Sequence, residues 1–311
     1  MKNTIGITRR SFAQACGLAV GGLALGCAGR VPSDNKKGRP PLAVFSKIYQ
    51  ELKLDFNASA KATADAGLDG VDCAVRPGGE VAPEKVAEQL PQYHEALNRH
   101  NLGILAVTTA ITNVSSPNAR VILETARRLG ARHYRLGFWR VKRSEDATAL
   151  KTKVKADLRE LAALNKELGM CGVIENHSMR HGDAAYLGGD LEELRELVED
   201  LNPEQIGVAF DLGHAMIMAP QSWKVSFEKL KPHIQLVYLK DVNAQGKFVP
   251  FGSGSFEESG FFKMLHEAGY ANPASIHIEY DWAQGKQKTP ELLAATLKQC
   301  RIAAEQWFRV R

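Results

Sequence analysis

The stretch Val173-Ile174-Glu175-Asn176-His177 is a short apolar run that ends in a carboxylate, an amide and an imidazole. Three later stretches have the same form, in which an apolar run is followed by polar side chains: 208–214, 236–241 and 276–280. Buried strands that turn polar at their C-terminal ends are typical of a (βα)8 barrel, which builds its active site at that edge. The pattern therefore predicts a barrel enzyme whose mouth is lined by these four strand ends.

The rest of the chain supplies the number of strands that such a barrel needs. Candidate strands lie near 42–46, 69–75, 102–108, 133–137, 171–176, 206–211, 234–240 and 275–280. Their spacing is roughly thirty residues, as expected when each strand is followed by a helix. An open doubly wound sheet is the main alternative, but chemistry on at least four strand ends favours closure. We predict an α/β fold with a single (βα)8 barrel over residues 41–311.

Helix signals lie between the candidate strands. Ser116-Pro117 predicts a capped helix start, and Ser144 predicts the start of a charged helix that Gly169 ends. Thr289-Pro290 predicts the start of the last helix, with Thr289 as the N-cap and Pro290 in the first turn. These signals place helices where a βα repeat requires them.

The N-terminal segment 1–27 predicts an export signal rather than part of the fold. Thr8-Arg9-Arg10-Ser11-Phe12 resembles a twin-arginine motif, and a mildly apolar, glycine-rich run follows it. Ala24-Leu25-Gly26-Cys27 resembles a lipobox, so either simple cleavage or acylation of Cys27 is open. Residues 28–40 are polar and turn-rich, which predicts a linker. We expect an exported protein, either periplasmic or anchored to the membrane through Cys27.

Charge and cysteines restrict the function further. Seven basic residues and one acid precede residue 40, so the formal net charge of +5 leaves a near-neutral body and does not indicate a nucleic-acid surface. Cys73 and Cys171 fall in candidate strands and Cys300 falls in the last helix. We expect these three thiols to be buried and free, because export of an already folded protein would let folding finish in the reducing cytoplasm.

Three carboxylates should point into the mouth, because Glu175, Asp211 and Glu279 end or nearly end the fifth, sixth and eighth strands. Uncompensated buried carboxylates repel each other, and a divalent cation between them is the simplest remedy. Oxygen-rich ligation with some imidazole suits manganese, magnesium, zinc or cobalt. The alternative is that these acids form salt bridges with Arg135, Lys240 or Lys47.

Histidines accompany the acids at three strand ends. His177 follows Glu175 by two residues, His214 follows Asp211 by three, and His277 precedes Glu279 by two. A spacing of two places both side chains on one side of a strand. We expect at least two of these histidines to contact substrate or metal. No role is assigned to the histidines that we place in helices or at their ends: His94, His100, His133, His233 and His266.

Other polar and aromatic residues follow the candidate strands. The further candidates for the mouth are Lys47, Arg76, Thr108, Thr109, Arg135 and Trp139. Trp139, Trp223 and Trp282 could stack on a sugar ring or simply pack between helix and barrel. The segment 177–189, with Arg180, His181 and Asp183, predicts a lid. The glycine-containing loop 250–254 could cradle a phosphate, but a plain turn is favoured because no GK[ST] sequence is present.

The order Glu175-Asn176-His177, Asp211 to His214, Leu239-Lys240-Asp241 and His277 to Tyr280 resembles the sugar phosphate isomerase/epimerase superfamily, the xylose isomerase-like TIM barrels. The resemblance covers roughly residues 42–308 and includes an exported bacterial subgroup with twin-arginine signals. It implies a divalent metal on the fifth to eighth strands, which carries over to Glu175, Asp211 and Glu279. Relatives often have histidine where this chain has Tyr238, so His214, His277 or water would complete the ligand shell.

The expected function is a metal-dependent isomerase or epimerase of a keto-sugar or oxidised glycoside. Glu175 and Glu279 would exchange the proton next to a carbonyl, with His177 and Lys240 also in the reaction centre. The residues predicted to bind substrate are Lys47, Arg76, Arg135, Trp139, His214, Trp223, Tyr238 and His277. Two alternatives stay open: a lyase acting on 3-keto glycosides, and a non-catalytic sugar-binding lipoprotein. A DNA-repair endonuclease is not indicated, because its many zinc ligands and basic face are missing.

Overall fold

A computed structural model describes residues 38–142, 144, 146–178 and 184–309, together with Met1. The predicted export signal, the lipobox at Cys27 and most of the predicted linker lie outside the described residues. So do Arg180, His181 and Asp183 of the predicted lid. The description therefore begins close to the first strand and concerns the predicted barrel.

Eight parallel strands close into a barrel, which confirms the predicted fold. In chain order these strands are β1 Leu42–Phe45, β2 Gly70–Val75, β3 Gly103–Thr109, β4 His133–Arg135, β6 Cys171–Glu175, β8 Ile206–Asp211, β9 Ile234–Leu239 and β10 Ala274–Ile276. Each strand pairs with its neighbours in sequence, and β1 pairs with β10 to complete the circle. The strands predicted from apolar runs therefore all exist, with ends that differ by a few residues.

Two further short strands lie outside the barrel. They are β5 Arg140–Lys142, in the loop after the fourth barrel strand, and β7 Ala184–Tyr186, in the loop after the fifth. The two strands pair antiparallel, with Val141 opposite Ala185. This small sheet was not predicted, because neither segment has an apolar run long enough to indicate a strand.

Helices follow the barrel strands and cover the outside. They are α1 Lys47–Gln50, α2 Phe56–Asp65, α3 Val86–Asn98, α4 Ala119–Arg128, α5 Thr148–Leu168, α6 Leu191–Val198, α7 Leu212–Met218, α8 Trp223–Leu230, α9 Phe261–Glu267 and α10 Pro290–Phe308. Short 3-10 turns lie at Pro83–Lys85, Lys231–His233 and Glu257–Ser259. Within the described ranges, no helix combines the length and apolar character that a membrane span requires.

The predicted helix signals are partly confirmed. Thr289 caps α10 by accepting a hydrogen bond from the Leu292 amide, and Gly169 ends α5 with a φ of 66°. Two predicted starts are wrong by a few residues. The helix expected from Ser144 begins at Thr148, where Asp146 accepts from the amide, and Ser116 closes the turn before α4 instead of capping it. Polar side chains at these positions serve the turn that precedes the helix.

Inside the barrel, alternate residues of each strand point to the axis. Ala106, Cys171, Val173, Ala209, Leu236 and Tyr238 form a buried cluster there. Counting two residues further along β6 from Val173 and along β8 from Ala209 reaches Glu175 and Asp211. Strand alternation therefore directs these two carboxylates inward and upward, above an apolar plug.

All three described cysteines are buried and free, as expected, with Cys171 inside the barrel. His133 needs a correction, because it is not at a helix end but is the first residue of β4. It is buried at the bottom of the barrel, the end opposite the mouth. At the same end Arg39, which lies in the predicted linker, is buried and hydrogen-bonds Asp69 and Glu305. That contact fixes the chain just before β1.

Candidate active site

Four consecutive strand ends each carry a polar residue of the mouth. Glu175 is the last residue of β6, Asp211 is the last of β8, Lys240 directly follows β9 and His277 directly follows β10. Because the strands are parallel, their C-terminal ends meet at the same edge. All four side chains are buried. The structure thus brings together residues that are separated by up to a hundred positions in the chain.

Lys240 is the centre of this group. Its Nζ lies 2.8 Å from Asp211 Oδ2 and donates hydrogen bonds to Glu175 Oε1 at 3.0 Å and to His214 Nε2 at 3.0 Å. The side chain of Lys240 is 1% exposed and that of Asp211 is fully buried. The alternative expected from the sequence, in which mouth acids form ion pairs with Lys240 and Arg135, is what the structure contains.

Arg135 adds a second positive charge beside Glu175. Its Nε lies 3.6 Å from Glu175 Oε2, and one of its terminal nitrogens donates to the Leu136 carbonyl. The guanidinium also lies over the ring of Phe138 at 4.3 Å. Two carboxylates and two cations are therefore packed together, so the buried charges balance as buried ions must.

These contacts set the protonation of the group. Burial opposes charge on Glu175, but Lys240, with His177 and Arg135, keeps the pKa of its carboxyl well below the usual range. Burial likewise opposes the ammonium, but Asp211 and Glu175 raise the pKa of Lys240. Burial raises the pKa of Asp211 against the pull of Lys240, and neighbouring Glu175 raises it further. Glu175 is therefore the carboxylate that holds its charge most firmly.

In the segment Asp211-Leu212-Gly213-His214, each polar or small residue has a structural role. Asp211 caps α7 by accepting a hydrogen bond from the His214 amide at 2.9 Å. A Cβ on Gly213 would lie 2.5 Å from the carbonyl oxygen of Lys240, so only glycine allows α7 to approach β9 this closely. The cap and the close approach together place His214 beside the Lys240 ammonium.

Asn176 connects two neighbouring strand ends. Its amide nitrogen donates to the Asp211 carbonyl at 2.9 Å, and its side-chain oxygen accepts from the Asp211 amide at 2.8 Å. The side chain thus makes the pair of hydrogen bonds that another strand residue would make. Asn176 therefore holds Glu175 and Asp211 in register and is not itself a reacting group.

His177 and His214 form a second polar layer above Glu175. Their ring centroids are 4.1 Å apart, and His177 also lies edge-on to Phe138 and Tyr186. Burial lowers the pKa of both imidazoles, and Lys240 lowers that of His214 further. Both rings are therefore neutral near pH 7, and His177 can accept a proton or bind a ligand atom, whereas Nε2 of His214 already accepts a hydrogen bond from Lys240.

The other half of the mouth is built around His277. Its imidazole stacks on Phe45 at 4.6 Å and lies 4.2 Å from the Tyr238 ring. His277 Nε2 is 3.7 Å from Asp72 Oδ2, and Asp72 accepts a hydrogen bond from Thr108. Asp72 was missed at the sequence level, because it lies in the middle of an apolar strand and not at its end.

A small cavity of about 80 Å³ opens between the two halves, enough for several water molecules. Its lining combines acids, bases and two aromatic rings: Phe45, Lys47, Arg76, Arg135, Phe138, Glu175, His177, Lys240, His277 and Glu279. Eight of these ten are predicted site residues; Phe45 and Phe138 were missed, since they carry no chemical signal in the sequence. A larger cavity at the opposite face, near Lys231 and Tyr270, contains none of the site residues.

Glu279 lies at the rim of this cavity and not inside the barrel. The strand β10 ends at Ile276, so the expectation that His277 and Glu279 share one side of a strand is wrong. His277 is buried, whereas Glu279 is exposed. The three carboxylates predicted to hold a metal are thus divided, with Glu175 and Asp211 on Lys240 and Glu279 apart from them.

The tryptophans lie away from the cavity. Trp139 is buried where its carbonyl accepts from the Leu187 amide, and Trp223 packs against Phe261 on the outside of the barrel. Trp282 is buried and donates to Glu51. Thr109 is also turned away, donating to the Arg135 carbonyl. These contacts correspond to the packing role that was left open for the tryptophans.

The glycine-containing loop after β9 folds around a carboxylate of the chain itself. Asp241 accepts hydrogen bonds from the amides of Val242, Gly252, Gly254 and Phe256. A Cβ on Gly254 would lie 2.2 Å from Asp241 Oδ1. The amides that could have cradled a phosphate are therefore occupied, and the loop is a structural turn.

The donor groups present can be compared with those that a divalent cation needs. Glu175, His177 and His214 offer three ligand atoms within 4.8 Å of one another, which makes them a candidate metal site. Two of the three, however, are hydrogen-bonded to the Lys240 ammonium, which also contacts Asp211. The ligand set implied by the resemblance does not fit, because an ammonium ion already neutralises its carboxylates.

A profile of the family described as Xylose isomerase-like TIM barrel matches residues 60–300. The chain therefore belongs to this family. No curated protein sequence matches the chain.

Three solved structures show the extent of the similarity. D-allulose 3-epimerase from Methylomonas sp., in complex with D-allulose, is 12% identical, with a TM-score of 0.64 and coverage of 86% of this chain and 97% of that chain. The apo form of 3-keto-D-glucoside 4-epimerase from E. coli is 12% identical, with a TM-score of 0.63 and coverage of 85% and 100%. A probable 3-DHS dehydratase from Bacillus anthracis is 14% identical, with a TM-score of 0.63 and coverage of 83% and 97%. At these identities the likeness shows a shared fold.

Proposed function

We propose that the protein is an isomerase or epimerase of a keto-sugar or an oxidised glycoside, acting by proton abstraction next to a carbonyl. The observation that carries this proposal is the cavity in which the Glu175 carboxylate and the Lys240 ammonium meet. A carboxylate can accept the proton from carbon, and a fixed cation can stabilise the enediolate oxygen as its charge develops. The sugar epimerases among the similar folds support the same reaction class.

Epimerisation requires proton exchange on both faces of the reacting carbon. Glu175 lies deep in the cavity and Glu279 lies at its rim, so a substrate between them would meet one carboxylate on each side. His177, which is neutral near pH 7, is the third group able to carry a proton. We assign the role of the base to Glu175, because the surrounding positive charges keep its carboxyl group ionised.

The size and charge of the cavity favour a substrate whose reactive carbons enter while the remainder stays outside. The rim carries exposed Lys47 and half-buried Arg76, whose guanidinium lies 5.5 Å from the Phe45 ring centroid. These two cations are placed to hold an acidic or hydroxyl-rich part of the substrate, and Phe45 offers an apolar surface to a sugar. Tyr238 lies deeper and supports His277 by ring contact.

A lyase is the second candidate function, and the similarity to a probable dehydratase favours it. In a 3-keto glycoside the same carbanion can expel the group on the next carbon. The two reactions use the same base and the same cation, so the structure supports both. They differ in their product, since elimination releases the aglycone and epimerisation returns the proton.

Deuterium exchange tests both functions together. A panel of 3-keto glycosides and free keto-sugars is incubated with the protein in deuterated water, and the proton signal next to the carbonyl is followed by NMR. Exchange without loss of the aglycone supports an epimerase, and aglycone release supports a lyase. Glu175→Gln should abolish either signal, whereas the surface variant Lys61→Met should leave it intact. If no substrate exchanges, a non-catalytic sugar-binding role is the better description.

Export is part of the proposal and depends on the N-terminal segment. A free or glycosidically linked sugar suits an exported enzyme, since sugar phosphates are scarce outside the cytoplasm. Replacing Arg9 and Arg10 by lysine should retain the protein in the cytoplasm in cell fractionation. Cys27→Ser should move it from the membrane fraction to the soluble periplasm if Cys27 is acylated. An unchanged distribution in both variants would contradict this localisation.

A further inference from the structure

The side chain of Lys240 is placed as a bound cation would be. Its Nζ is within 3.0 Å of a ligand atom on each of three other side chains, from Glu175, Asp211 and His214. Two of these are carboxylates and one is a neutral imidazole that accepts the hydrogen bond. Such a set of acceptors around one point is the environment that proteins give to metal ions. Here it surrounds an ammonium group.

A divalent ion could not share this position with Lys240. It would lie within hydrogen-bonding distance of the ammonium, and two positive ions at that distance repel strongly in a buried site. The Gly213 backbone packs against the carbonyl and Cβ of Lys240, which fixes the base of the side chain beside Asp211 and His214. To bind a metal here, the chain would have to displace the Lys240 ammonium from its contacts with Glu175, Asp211 and His214.

The strand that precedes Lys240 supports the same conclusion. Tyr238 lies on β9 two residues before Lys240 and belongs to the buried cluster inside the barrel. Its hydroxyl is buried, and a neutral phenol is a poor ligand for a divalent ion. Glu279 lines the same cavity but is exposed at its rim, whereas the group around Lys240 is buried.

We propose that the Lys240 ammonium replaces the divalent cation in this barrel, and that the chain works without a resident metal. This inference deepens the proposed function, on which its catalytic part rests. Lys240 lines the cavity, so the ammonium can donate a hydrogen bond to a carbonyl oxygen that enters it. When a carboxylate removes the proton on the adjacent carbon, that C–H electron pair forms a C=C bond. The carbonyl π pair then moves to the oxygen facing Lys240, and return of a proton to carbon restores the charge balance.

Metal content is the first test, because it does not depend on activity. The wild-type protein, purified without chelator and dialysed against manganese or zinc, is analysed by inductively coupled plasma mass spectrometry. We expect less than about a tenth of an equivalent bound, since a site filled by an ammonium has no affinity for a second cation. One equivalent of either metal, retained in the wild type, overturns the proposal.

A variant designed to recover the metal gives the complementary result. Lys240→Ala removes the ammonium, and Tyr238→His adds an imidazole on the seventh barrel strand. We expect the double variant to bind one equivalent of manganese or zinc, whereas the matched control Lys61→Ala/Tyr238→His stays free of metal. A folded double variant that binds no more metal than wild type overturns the assignment. If the variant does not fold, the wild-type measurement decides alone.

A measurement of activity tests this inference separately from the proposed function. With an active keto-sugar, the deuterium exchange rate should be unchanged by EDTA, and Lys240→Met should lower the rate at saturating substrate by about 10²-fold or more. Loss of exchange with EDTA overturns the inference while leaving the proposed function in place. Absence of exchange with every sugar removes the proposed function, and a metal-free wild type then still supports Lys240 as the internal cation.

Discussion

The hydroxyl of Ser178 lies 2.7 Å from Nδ1 of His214, the ring nitrogen that does not face Lys240. Lys240 can only donate, so His214 Nε2 must be the acceptor of its hydrogen bond. Nδ1 therefore carries the proton and donates to Ser178. A serine that attracted no attention in the sequence thus orients a histidine of the site.

Ser178→Ala should disturb this histidine without disrupting the barrel. The Nδ1 proton loses its acceptor, and an unsatisfied buried donor costs about 1–3 kcal/mol. We expect a fall in unfolding free energy within that range and a change in the ¹⁵N shift of His214 Nδ1, whose proton has lost its acceptor. Ser115→Ala, at an exposed position, is the matched control. An unaltered Nδ1 shift would show that Ser178 does not accept a hydrogen bond from His214.

Removing the charge of Lys240 should destabilise the fold more than any surface substitution. Lys240→Met leaves Glu175 and Asp211 buried without their shared partner, and breaking a buried ion pair in this way costs about 3–5 kcal/mol. Urea denaturation measures the loss. Lys61→Met interrupts an exposed pair with Asp65 and should change stability by less than about 1 kcal/mol. Equal effects of the two variants would mean that the buried group is solvated.

The double variant Lys240→Met/Glu175→Gln tests whether the two side chains interact as an ion pair. Because the second substitution removes a carboxylate that the first leaves unpaired, the double variant should be more stable than the sum of the single effects predicts. The expected coupling is in the range of about 0.5–3 kcal/mol. Strict additivity would contradict the contact between Lys240 Nζ and Glu175 Oε1.

His133 should make the barrel sensitive to acid. Burial, with the charge of Arg132, lowers its pKa to about 4, whereas an unfolded histidine titrates near 6.5. Between these values the unfolded chain binds more protons, so the contribution of His133 to stability is complete above pH 6.5 and is lost as the pH falls through about 4. The shift corresponds to about 3 kcal/mol.

Replacing this histidine should therefore make the free energy of unfolding less dependent on pH between pH 7 and pH 4. His133→Leu is compared with wild type by urea denaturation between pH 7 and pH 4, and the wild type should lose about 3 kcal/mol more over that range. His100→Leu, at an exposed position, should follow the wild-type curve. If His133→Leu shows the same pH slope as wild type, the imidazole is protonated inside the fold.

The carboxylate of Asp241 should hold the loop that follows β9. Asp241→Ala leaves the amides of Gly252, Gly254 and Phe256 without their acceptor, at a cost of about 1–3 kcal/mol for each buried donor that water does not reach. Hydrogen exchange of these three amides should become faster, while exchange in the centre of β6 stays slow. Addition of inorganic phosphate should not restore protection, because the loop has no other feature of a phosphate site.

The fold could be predicted from the sequence because strand ends and helix ends carry local signals. Apolar runs located all eight barrel strands, and Gly169 and Thr289 marked helix ends through backbone conformation and capping. The sheet of β5 and β7 could not be predicted. Its stability depends on contacts between two loops, and Arg140 to Lys142 is mostly charged.

The composition of the site could be predicted better than its arrangement. Strand alternation directs Glu175 and Asp211 inward, and the sequence shows this directly. It does not show how far a lysine side chain reaches, so a divalent cation and an ion pair with Lys240 both stayed open as the partner of these carboxylates. Glu279 was misplaced because the strand β10 ends three residues before it.

The pairing of β5 with β7 joins the loop after the fourth barrel strand to the loop after the fifth. Phe138 precedes β5 and Tyr186 ends β7, and their rings stack at 4.3 Å beside His177. Because the two rings stack on each other and both are attached to the same pair of strands, the pairing of β5 with β7 holds Phe138 against the cavity on the side of Glu175. The shape of this wall of the site is therefore a joint property of two loops and of their backbone hydrogen bonds.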